Sequence, residues 1–441
     1  MTQSYAAIAG STAAEIASSV RALIERGSLT PGDALPPVRA LAESLGVNRN
    51  TVVAAYRQLA SSGLASGHGR AGTRIAAPTP VAQEGFAPRT APAGARDVGT
   101  GNPDPSRIPD PSRALARAAG HPVLYGSPVV DPELEKWAHA FLGADLHRHN
   151  LRITVTGGAS DAMDRLFTAM LAPGDAVGIE DPGFLTGIHT LRVGGYPAVP
   201  IEVDSEGITV DSLRAALDHG IRALVVTPRA HNPTGVSLTP ERATALRDVL
   251  ADHPYVLIIE DDHFSLLSRH AYASLISPDH QRWALVRSVS KFLGPDMSVA
   301  LVATDSHTAD RLGMRLRPGI AWVSHLLQRL AHALLVDDGV RAEISATAAH
   351  YAERNDAFCD ALARYGITCT AGDGLSVWVP TAAPASEVTA ALAQRGWIVR
   401  SGDEFRVTQD SPASHHVRVT VHELSDAEQS ELARALSESG A

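Results

Sequence analysis

The stretch RALVVTPRAHNPTG, residues 222–235, joins an apolar run to a turn that contains two prolines. Near-continuous apolar runs indicate strands that are buried on both faces, as in a parallel sheet covered by helices. From about Val98 onward the chain is therefore predicted to have an α/β fold. Five more stretches also consist of an apolar run that ends in polar or glycine-rich residues: LRITVTGG (151–158), DAVGIEDPG (175–183), YVLIIEDDH (255–263), WALVRSVSK (283–291) and VALVAT (299–304).

The polar residues that follow these runs are expected to meet at one edge of the sheet. In open parallel sheets, ligands bind beside the carboxyl ends of the strands. The residues at these ends include Asn232, Asp261 and Lys291, with GGAS (157–160) and Phe184 nearby. Lys291 is unusual because the chain has only one other lysine among its 38 Lys and Arg residues. We infer that this edge of the sheet is the functional site of the body.

The chemistry of these side chains favours a site for pyridoxal phosphate (PLP). Lysine forms a Schiff base with an aldehyde, whereas arginine does not. A carboxylate such as Asp261 pairs with a protonated pyridine nitrogen, an amide such as Asn232 donates to a phenolate, and Phe184 can stack on the ring. Backbone N–H groups at the start of a helix bind phosphate. The candidate phosphate ligands are Gly158, Ala159, Ser160, Ser288 and Ser290.

The alternative at this edge is a metal site in EDDH, residues 260–263. Carboxylates and histidine bind manganese or zinc. Successive residues of a strand, however, point to opposite faces of the sheet. Because the four side chains cannot all converge on one ion, we predict no metal site.

The first 76 residues have a different pattern, with three short amphipathic helices and a basic hairpin. Thr12 and Glu15 form a capping box, and Asn48 is a favourable N-cap. This segment carries a net charge of +3, while the whole chain carries −10. The order of elements predicts a winged helix-turn-helix domain. The helices are expected in STAAEIASSVRALIERG (11–27), LPPVRALAESLG (35–46) and VNRNTVVAAYRQLASSG (47–63), and the hairpin in LASGHGRAGTRIA (64–76).

The third of these helices is expected to enter the major groove of DNA with its first turn. Arginine grips guanine with two hydrogen bonds, and arginine and threonine also hold phosphate. A solvated three-helix bundle is the alternative, but the short turn GVN (46–48) and the wing favour DNA binding. The candidate DNA-binding residues are Arg39, Arg49, Asn50, Thr51, Arg57, His68 and Arg70.

A segment rich in proline, alanine and glycine, residues 77–97, separates this head from the body. It has no hydrophobic period and is predicted to be an extended tether. The predicted domains are therefore 1–76, 77–97 and 98–441. The sequence has no apolar run long enough to cross a bilayer, no signal-peptide pattern and only two cysteines. These features predict a cytoplasmic protein with no membrane partner.

Both parts of the chain resemble known families. The sequence GSLTPGDALPPVRALAESLGVNRNTVVAAYRQLASSGLASGHGRAGTRI (27–75) resembles the DNA-binding domain of GntR-type bacterial regulators. Residues 98–441 resemble fold-type I aminotransferases, most specifically in TPRAHNPTG (227–235) and SVSK (288–291). The combination looks like the MocR family of regulators, which includes the PdxR activators of vitamin B6 synthesis. The resemblance implies a mainly parallel, seven-stranded-type sheet, a smaller C-terminal α+β subdomain and a homodimer.

The resemblance also implies a role for each candidate site residue. Tyr125 of LYGS (124–127) would reach the phosphate bound in the other subunit. Arg418 of HHVRVTV (415–421) would hold the carboxylate of a substrate. The remaining implied roles are Lys291 as the Schiff-base lysine, Asp261 as the pyridine partner, Asn232 as the phenolate partner and Phe184 as the stacking residue.

Three positions depart from the family pattern. His263 stands where the family usually has a tyrosine, and Thr186 stands where some relatives read an effector carboxylate with arginine. Ser298 stands where an arginine usually holds the phosphate. The loss of a charge-assisted partner costs about 1.5–3 kcal/mol, which weakens PLP binding roughly tenfold or more. Another arginine, such as Arg287, is a candidate to supply the missing charge.

These observations predict a DNA-binding transcriptional regulator whose body senses PLP or a PLP-linked amino compound. The implied partners are a double-stranded DNA operator, the effector and a second copy of the chain. Two alternatives stay open: a PLP-dependent aminotransferase with an appended DNA-binding domain, and a regulator whose sensor has lost its cofactor. The head argues against the first, and Lys291 with Asp261 and Asn232 argues against the second. At most weak aminotransferase activity is expected.

Overall fold

The computed structural model describes residues 7–67, 72–76, 94–148, 150–316 and 322–441. The chain divides into two compact units, one of residues 1–81 with 189–197 and a larger one of residues 82–188 with 198–441. Among the described residues, no helix is both long enough and apolar enough to span a lipid bilayer.

The head contains three helices and a hairpin of two antiparallel strands. A capping box at Thr12 begins the first helix, and Gly46 ends the second in the left-handed conformation, with a φ of 65°. Apolar residues of all three helices, among them Ile16, Leu41 and Val52, share one buried core. This is the winged helix-turn-helix that the sequence predicts. Its elements are α1 (Ala13–Glu25), α2 (Val38–Leu45), α3 (Arg49–Ser61), β1 (Ala65–Gly67) and β2 (Thr73–Ile75).

The body alternates strands and helices along most of its length, as the α/β pattern of the sequence predicts. Its first elements are β3 (Arg96–Asp97), α4 (Ser112–Ala118), α5 (Pro132–Leu146), β4 (Arg152–Thr156), α6 (Ala159–Met170), β5 (Val177–Asp181), α7 (Leu185–Gly194), β6 (Ala198–Asp204), β7 (Gly207–Ile208), α8 (Val210–His219), β8 (Ala223–Val226), α9 (Pro240–Leu250) and β9 (Leu257–Asp261). They are followed by β10 (Trp283–Ser288), α10 (Ser290–Leu293), β11 (Ala300–Thr304), α11 (Ser306–Leu316), α12 (His325–Leu335), α13 (Asp338–Ala363), β12 (Val377–Pro380), α14 (Ala385–Gln394), β13 (Trp397–Ile398), β14 (Arg400–Ser401), β15 (His416–Val419) and α15 (Asp426–Glu438).

The main sheet of the body has the strand order β4–β11–β10–β9–β8–β5–β6–β7. The pairs from β10 to β6 are parallel, whereas β11 runs antiparallel to both β10 and β4. Every residue of β5, β8, β10 and β11 is buried, as expected for strands covered on both faces. The predicted mainly parallel sheet is confirmed, and the two-residue strand β7 adds an antiparallel eighth strand at one edge.

The C-terminal part of the body forms the expected smaller subdomain. Strands β12, β15 and β14 pair antiparallel. Buried residues such as Val379, Leu392 and Val419 form a second core with helices α13, α14 and α15. The short strand β3, at the start of the body, pairs in parallel with β13 of this subdomain. The first residues of the body are therefore joined to its last part.

Candidate functional site

A cavity of about 260 Å³ lies at the carboxyl ends of the strands of the main sheet. Strand β4 is followed by two glycines, β9 ends at Asp261, and β10 ends shortly before Lys291. The cavity brings together every predicted cofactor-binding residue except Tyr125. It is lined by Gly157, Gly158, Ala159, Ser160, Phe184, Thr186, Asn232, Asp261, His263, Ser288, Ser290, Lys291, Pro295 and Ser298.

Asp261 has an unsatisfied carboxylate oxygen in this cavity. Its Oδ1 is buried and has no hydrogen-bond partner among the described residues. Burial, with a contribution from the carboxylates of Asp262 and Glu180, raises the pKa of Asp261 to about 7, while Lys291 opposes the shift. A buried carboxylate oxygen without a donor is the group that a protonated pyridine nitrogen would satisfy.

Lys291 and Asn232 each have a defined hydrogen-bond partner. The Nζ of Lys291 donates to the carbonyl oxygen of Gly101 over 3.0 Å. The Oδ1 of Asn232 accepts a hydrogen bond from Nη1 of Arg418 over 2.8 Å. This bond leaves the Nδ2 donor of Asn232 for another acceptor. The amide is thus oriented as its predicted pairing with a phenolate oxygen requires.

His263 lines the cavity at the position where the family pattern has a tyrosine. Burial, followed by the positive charge of Lys291, lowers the pKa of His263 to about 4. The imidazole is therefore neutral at pH 7, with one nitrogen that donates and one that accepts hydrogen bonds. It can donate to a phenolate oxygen as a tyrosine hydroxyl would.

The phosphate end of the cavity consists of backbone and hydroxyl groups. Helix α6 begins directly after Gly158, its N-cap residue, which has a φ of 97°. The first N–H groups of this helix, including that of Ser160, have no acceptor within the helix and favour an anion. Ser298 donates through Oγ to a backbone carbonyl over 3.1 Å. Among the described residues that line the cavity, Lys291 is the only cationic side chain, so no arginine supplies the charge missing at Ser298.

Arg287 does not supply that charge, contrary to the expectation from the sequence. Ser288 lines the cavity, and its Oγ lies 2.8 Å from the Oγ of Ser290. Arg287 points to the opposite face of the sheet because successive residues of a strand alternate. There its Nε donates to Asp262 over 2.6 Å, and its guanidinium packs against two aromatic rings.

The residues of EDDH, 260–263, are divided between the two faces in the same way. Asp261 and His263 line the cavity. Asp262 is buried away from it and accepts a hydrogen bond from Nε of Arg229 over 3.0 Å. The alternation that argues against a metal site in the sequence is therefore present in the structure.

Two predicted site residues lie outside the lining of the cavity. Tyr125 is 76% exposed, and its ring centroid lies 5.9 Å from that of Trp322. Arg418 is 1% exposed and donates to Asn232 and, through Nη2 over 2.8 Å, to the carbonyl oxygen of Gly99. In this conformation Arg418 positions Asn232, and its guanidinium is already engaged by the protein.

Sequence reasoning missed the segment GTGN, residues 99–102. Gly101 is buried, and its carbonyl oxygen is the acceptor for Lys291. The available signal was a pair of glycines followed by Asn-Pro, which marks a turn. Nothing in the sequence indicates that this turn lies beside Lys291, because the two positions are 190 residues apart.

The head presents most of the predicted DNA-binding residues on its surface. The N-cap residue Asn48 accepts a hydrogen bond from the N–H of Asn50 over 2.9 Å, which fixes the first turn of α3. The hydroxyl of Tyr56 donates to the carbonyl oxygen of Pro36 over 2.7 Å and ties α3 to the start of α2. His68 and Arg70 lie outside the described residues. The exposed candidates are Arg39, Arg49, Asn50 and Arg57, and Thr51 is half-buried.

Comparison with known proteins assigns both parts of the chain. Residues 97–436 match the family "Aminotransferase class I and II", and residues 12–75 match "Bacterial regulatory proteins, gntR family". The chain is 47% identical to the vitamin B6 salvage pathway transcriptional repressor PtsJ of Salmonella typhimurium, over 97% of this chain and 98% of that protein. The chain belongs to the MocR/PdxR-type transcriptional regulators.

Two further proteins are similar to this MocR/PdxR-type regulator. The pyridoxine biosynthesis transcriptional regulator PdxR of Corynebacterium glutamicum is 32% identical over 57% of this chain and 56% of that protein. Kynurenine aminotransferase of Pyrococcus horikoshii has a similar fold, with a TM-score of 0.70 and 19% identity over 79% of this chain and 91% of that chain. The MocR/PdxR-type regulator thus combines a GntR-type head with an aminotransferase-like body, and the cavity of that body fits PLP as its cofactor.

Proposed function

We propose that this regulator binds a DNA operator through its head and senses PLP, or PLP joined to an amino compound, in its body. The observation that carries the proposal is the buried Oδ1 of Asp261, which has no partner among the described residues and shares a cavity with Lys291. A protonated pyridine nitrogen and an aldehyde are the two groups that such a pair accommodates. The name of the relative in Salmonella typhimurium, a repressor of vitamin B6 salvage, supports the same class of ligand.

The residues of the cavity would each contact a different part of the cofactor. PLP, when bound, supplies an aldehyde that condenses with an amine and a ring that withdraws electrons. Lys291 would hold the aldehyde carbon, and Asp261 would keep the pyridine nitrogen protonated. Asn232 would donate to the phenolate oxygen through Nδ2, and Phe184 would cover one face of the ring. The first N–H groups of α6 would bind the phosphate.

We propose domain boundaries at 1–76 for the head, 77–97 for the linker and 98–441 for the body. The family matches over 12–75 and 97–436 support this division. Ligand binding in the body would alter operator affinity by shifting the population of conformations that bind DNA.

The contacts of Arg418 favour sensing over rapid turnover. Its two terminal nitrogens donate to Asn232 and Gly99. No arginine lines the cavity among the described residues. An amino acid that enters would therefore lack a ready cationic partner for its carboxylate, which a transaminating enzyme needs in order to orient its substrate. We propose that half-transamination is slow.

We also propose that the regulator acts as a homodimer. Leu124 and Tyr125 are 72% and 76% exposed, and Leu115 and Leu326, on the packed helices α4 and α12, are 50% and 52% exposed. Exposed apolar residues of this kind support burial against another protein surface. A second copy would bring two heads to two half-sites, and Tyr125 would then be available to the phosphate of the neighbouring subunit.

The test combines operator binding with PLP titration of the full-length protein. A labelled fragment of its own promoter region is titrated with and without PLP, and stopped-flow spectra follow a panel of common amino acids. We expect PLP to change operator affinity several-fold while the amino acids react slowly. Rapid turnover of any of them, with operator affinity indifferent to PLP, would move the assignment to an aminotransferase.

A further inference from the structure

The last residue of the linker and the first residues of the body, DVGTGN (97–102), form a segment that we call the strap. It continues the chain directly from the linker. Its start is anchored where β3 pairs with β13, because the N–H of Val98 donates to the carbonyl of Ile398 over 2.9 Å. Just beyond its end, the N–H of Asp104 donates to the hydroxyl of Tyr351 over 3.0 Å. The residues between these anchors belong to no helix or strand.

Two cationic side chains of the candidate site hold the middle of the strap. Arg418 donates to the carbonyl oxygen of Gly99 over 2.8 Å, and Lys291 donates to the carbonyl oxygen of Gly101 over 3.0 Å. The N–H of Gly101 donates in turn to Oγ1 of Thr420 over 3.1 Å. The strap also packs closely at Gly99, where an added Cβ would meet facing backbone atoms at 3.0 Å. Its conformation therefore depends in part on Lys291, which the ligand would engage.

Lys291 cannot hold both Gly101 and a bound aldehyde. Condensation of the amine with the aldehyde forms a C=N bond and releases one water, so the nitrogen keeps at most one hydrogen, and the phenolate oxygen beside the aldehyde would accept it. The carbonyl oxygen of Gly101, in a buried residue, then loses its charged donor. A buried carbonyl without a donor is unfavourable. The strap is thereby driven to a position in which this carbonyl finds a new partner.

The structure has space for such a movement. A second cavity, of about 440 Å³, borders the strap, and its lining includes Thr100, Asn102, Thr420 and His422. A cavity of this size with polar walls accommodates water. Water in it would replace Lys291 as the donor to a strap carbonyl that turns toward it.

We propose that the strap is the element through which occupation of Lys291 reaches the linker and the head. The proposal rests on the proposed function, because it requires PLP to condense with Lys291. Without PLP, both Lys291 and Arg418 donate to carbonyl oxygens of the strap; with PLP, Arg418 is the one of these two that still donates. Since the strap begins where β3 pairs with β13, its displacement acts on this pairing and so on the end of the linker.

The test measures strap mobility and operator affinity on the full-length protein. Hydrogen–deuterium exchange is followed on peptides that cover residues 95–104, with and without PLP. In the wild type, PLP should accelerate exchange of the Gly101 amide roughly tenfold and change operator affinity. Without any PLP, Lys291→Ala should already show fast strap exchange and the operator affinity of the PLP-bound wild type, and PLP should change neither.

Thr420→Val is the matched variant outside the cofactor cavity. It removes the acceptor of the Gly101 N–H and leaves the residues that line the cavity intact. We expect it to bind PLP at least as tightly as the wild type does, to exchange fast at the strap without PLP, and to shift operator affinity in the same direction as PLP.

The outcomes separate this proposal from the one on which it rests. If PLP shifts wild-type operator affinity but both variants keep the strap exchange and operator affinity of the ligand-free wild type, the strap is not the connection and the proposed function stands. If PLP leaves wild-type operator affinity unchanged although it binds, the proposed function itself is overturned.

Discussion

At the scale of single residues, Asp261 shows how a binding residue destabilises the protein that carries it. Its ordinary pKa of 3.8 is raised to about 7 in the folded chain. The folded state therefore binds a proton more tightly than the unfolded state between these values, and stability decreases as the pH rises from about 4 to 7. A ligand that donates a hydrogen bond to Asp261 removes this penalty, so PLP binding and folding are linked at one carboxylate.

Asp261→Asn should therefore have opposite effects with and without ligand. The amide removes a buried charge, so the ligand-free variant should melt at a higher temperature than the wild type at about pH 8, and the two should converge near pH 5. With PLP the order should reverse, because an amide holds a protonated pyridine nitrogen poorly. Thermal scans across this pH range, with and without PLP, measure whether the variant melts above or below the wild type in each case. A ligand-free wild type that is the more stable at about pH 8 would contradict the argument.

Ser298→Arg tests the missing charge at the phosphate. Ser298 has a φ of 41°, a left-handed conformation that any residue other than glycine adopts at a cost, so the stability of the variant is measured as well. We expect the variant to bind PLP roughly 10–100-fold more tightly, as judged by spectral titration, because a charge-assisted hydrogen bond is gained. Pyridoxal, which lacks the phosphate, is the control and should bind the two proteins equally. Unchanged PLP affinity would show that the N–H groups of α6 already satisfy the phosphate.

Single residues also show what the sequence can and cannot predict. Asp261 and Lys291 were found because a polar residue that ends an apolar run marks the end of a buried strand. The prediction that Arg287 faces the cavity was wrong because the apolar sequence of β10 does not show which face of the sheet each side chain takes. A shift of one position moves a side chain to the opposite face. The bond between Arg418 and Asn232 spans 186 residues and follows from packing of the subdomain, which no local pattern encodes.

At the scale of elements, the first turn of α3 is the part of the head that a base edge can reach. Its backbone is fixed by the Asn48 cap and by the bond from Tyr56 to the carbonyl of Pro36. Because the backbone of this turn is already fixed, binding costs the freedom of the side chains but does not have to order the turn, which favours a specific contact.

Arg49→Ala should accordingly weaken binding to the operator by about 1–3 kcal/mol, or roughly 5–150-fold. Arg26→Ala removes another exposed arginine of the head, at the end of α1, and serves as the control for charge alone. Fluorescence anisotropy with operator and scrambled DNA, at a fixed salt concentration, separates the two effects. Equal losses for both variants on both DNAs would show that Arg49 contributes charge and reads no base.

The elements differ in how well the sequence reveals them. The central strands of the main sheet were evident because they are buried along their whole length and each begins with a run of apolar residues. Strand β7 has only two residues, which is too short for any period to appear. Strand β3 is equally short, and its partner β13 is distant in sequence, so its place in the C-terminal subdomain could not be foreseen.

At the scale of the whole molecule, the proposed dimer accounts for apolar side chains that the single chain leaves exposed. Leu124→Asp should shift the protein toward monomer, because a carboxylate buried in an interface without a partner is unfavourable. Light scattering after size exclusion, over a range of concentrations, measures the change. Tyr255→Asp alters another exposed apolar residue, 65% exposed, and should leave the dimer intact. A wild type that is already monomeric, or a Leu124→Asp protein that stays dimeric, would remove the support for this surface.

The pairing of β3 with β13 has a consequence for synthesis on the ribosome. Among the described residues, the buried core that joins the three helices of the head runs from Ile8 to Ile75, so this core is synthesised early in translation. The strand at Arg96–Asp97 must wait for Trp397–Ile398, which is made near the end. During translation, the head can therefore fold well before the body can fold. If translation stopped early, the product would be a DNA-binding fragment whose operator affinity does not respond to PLP.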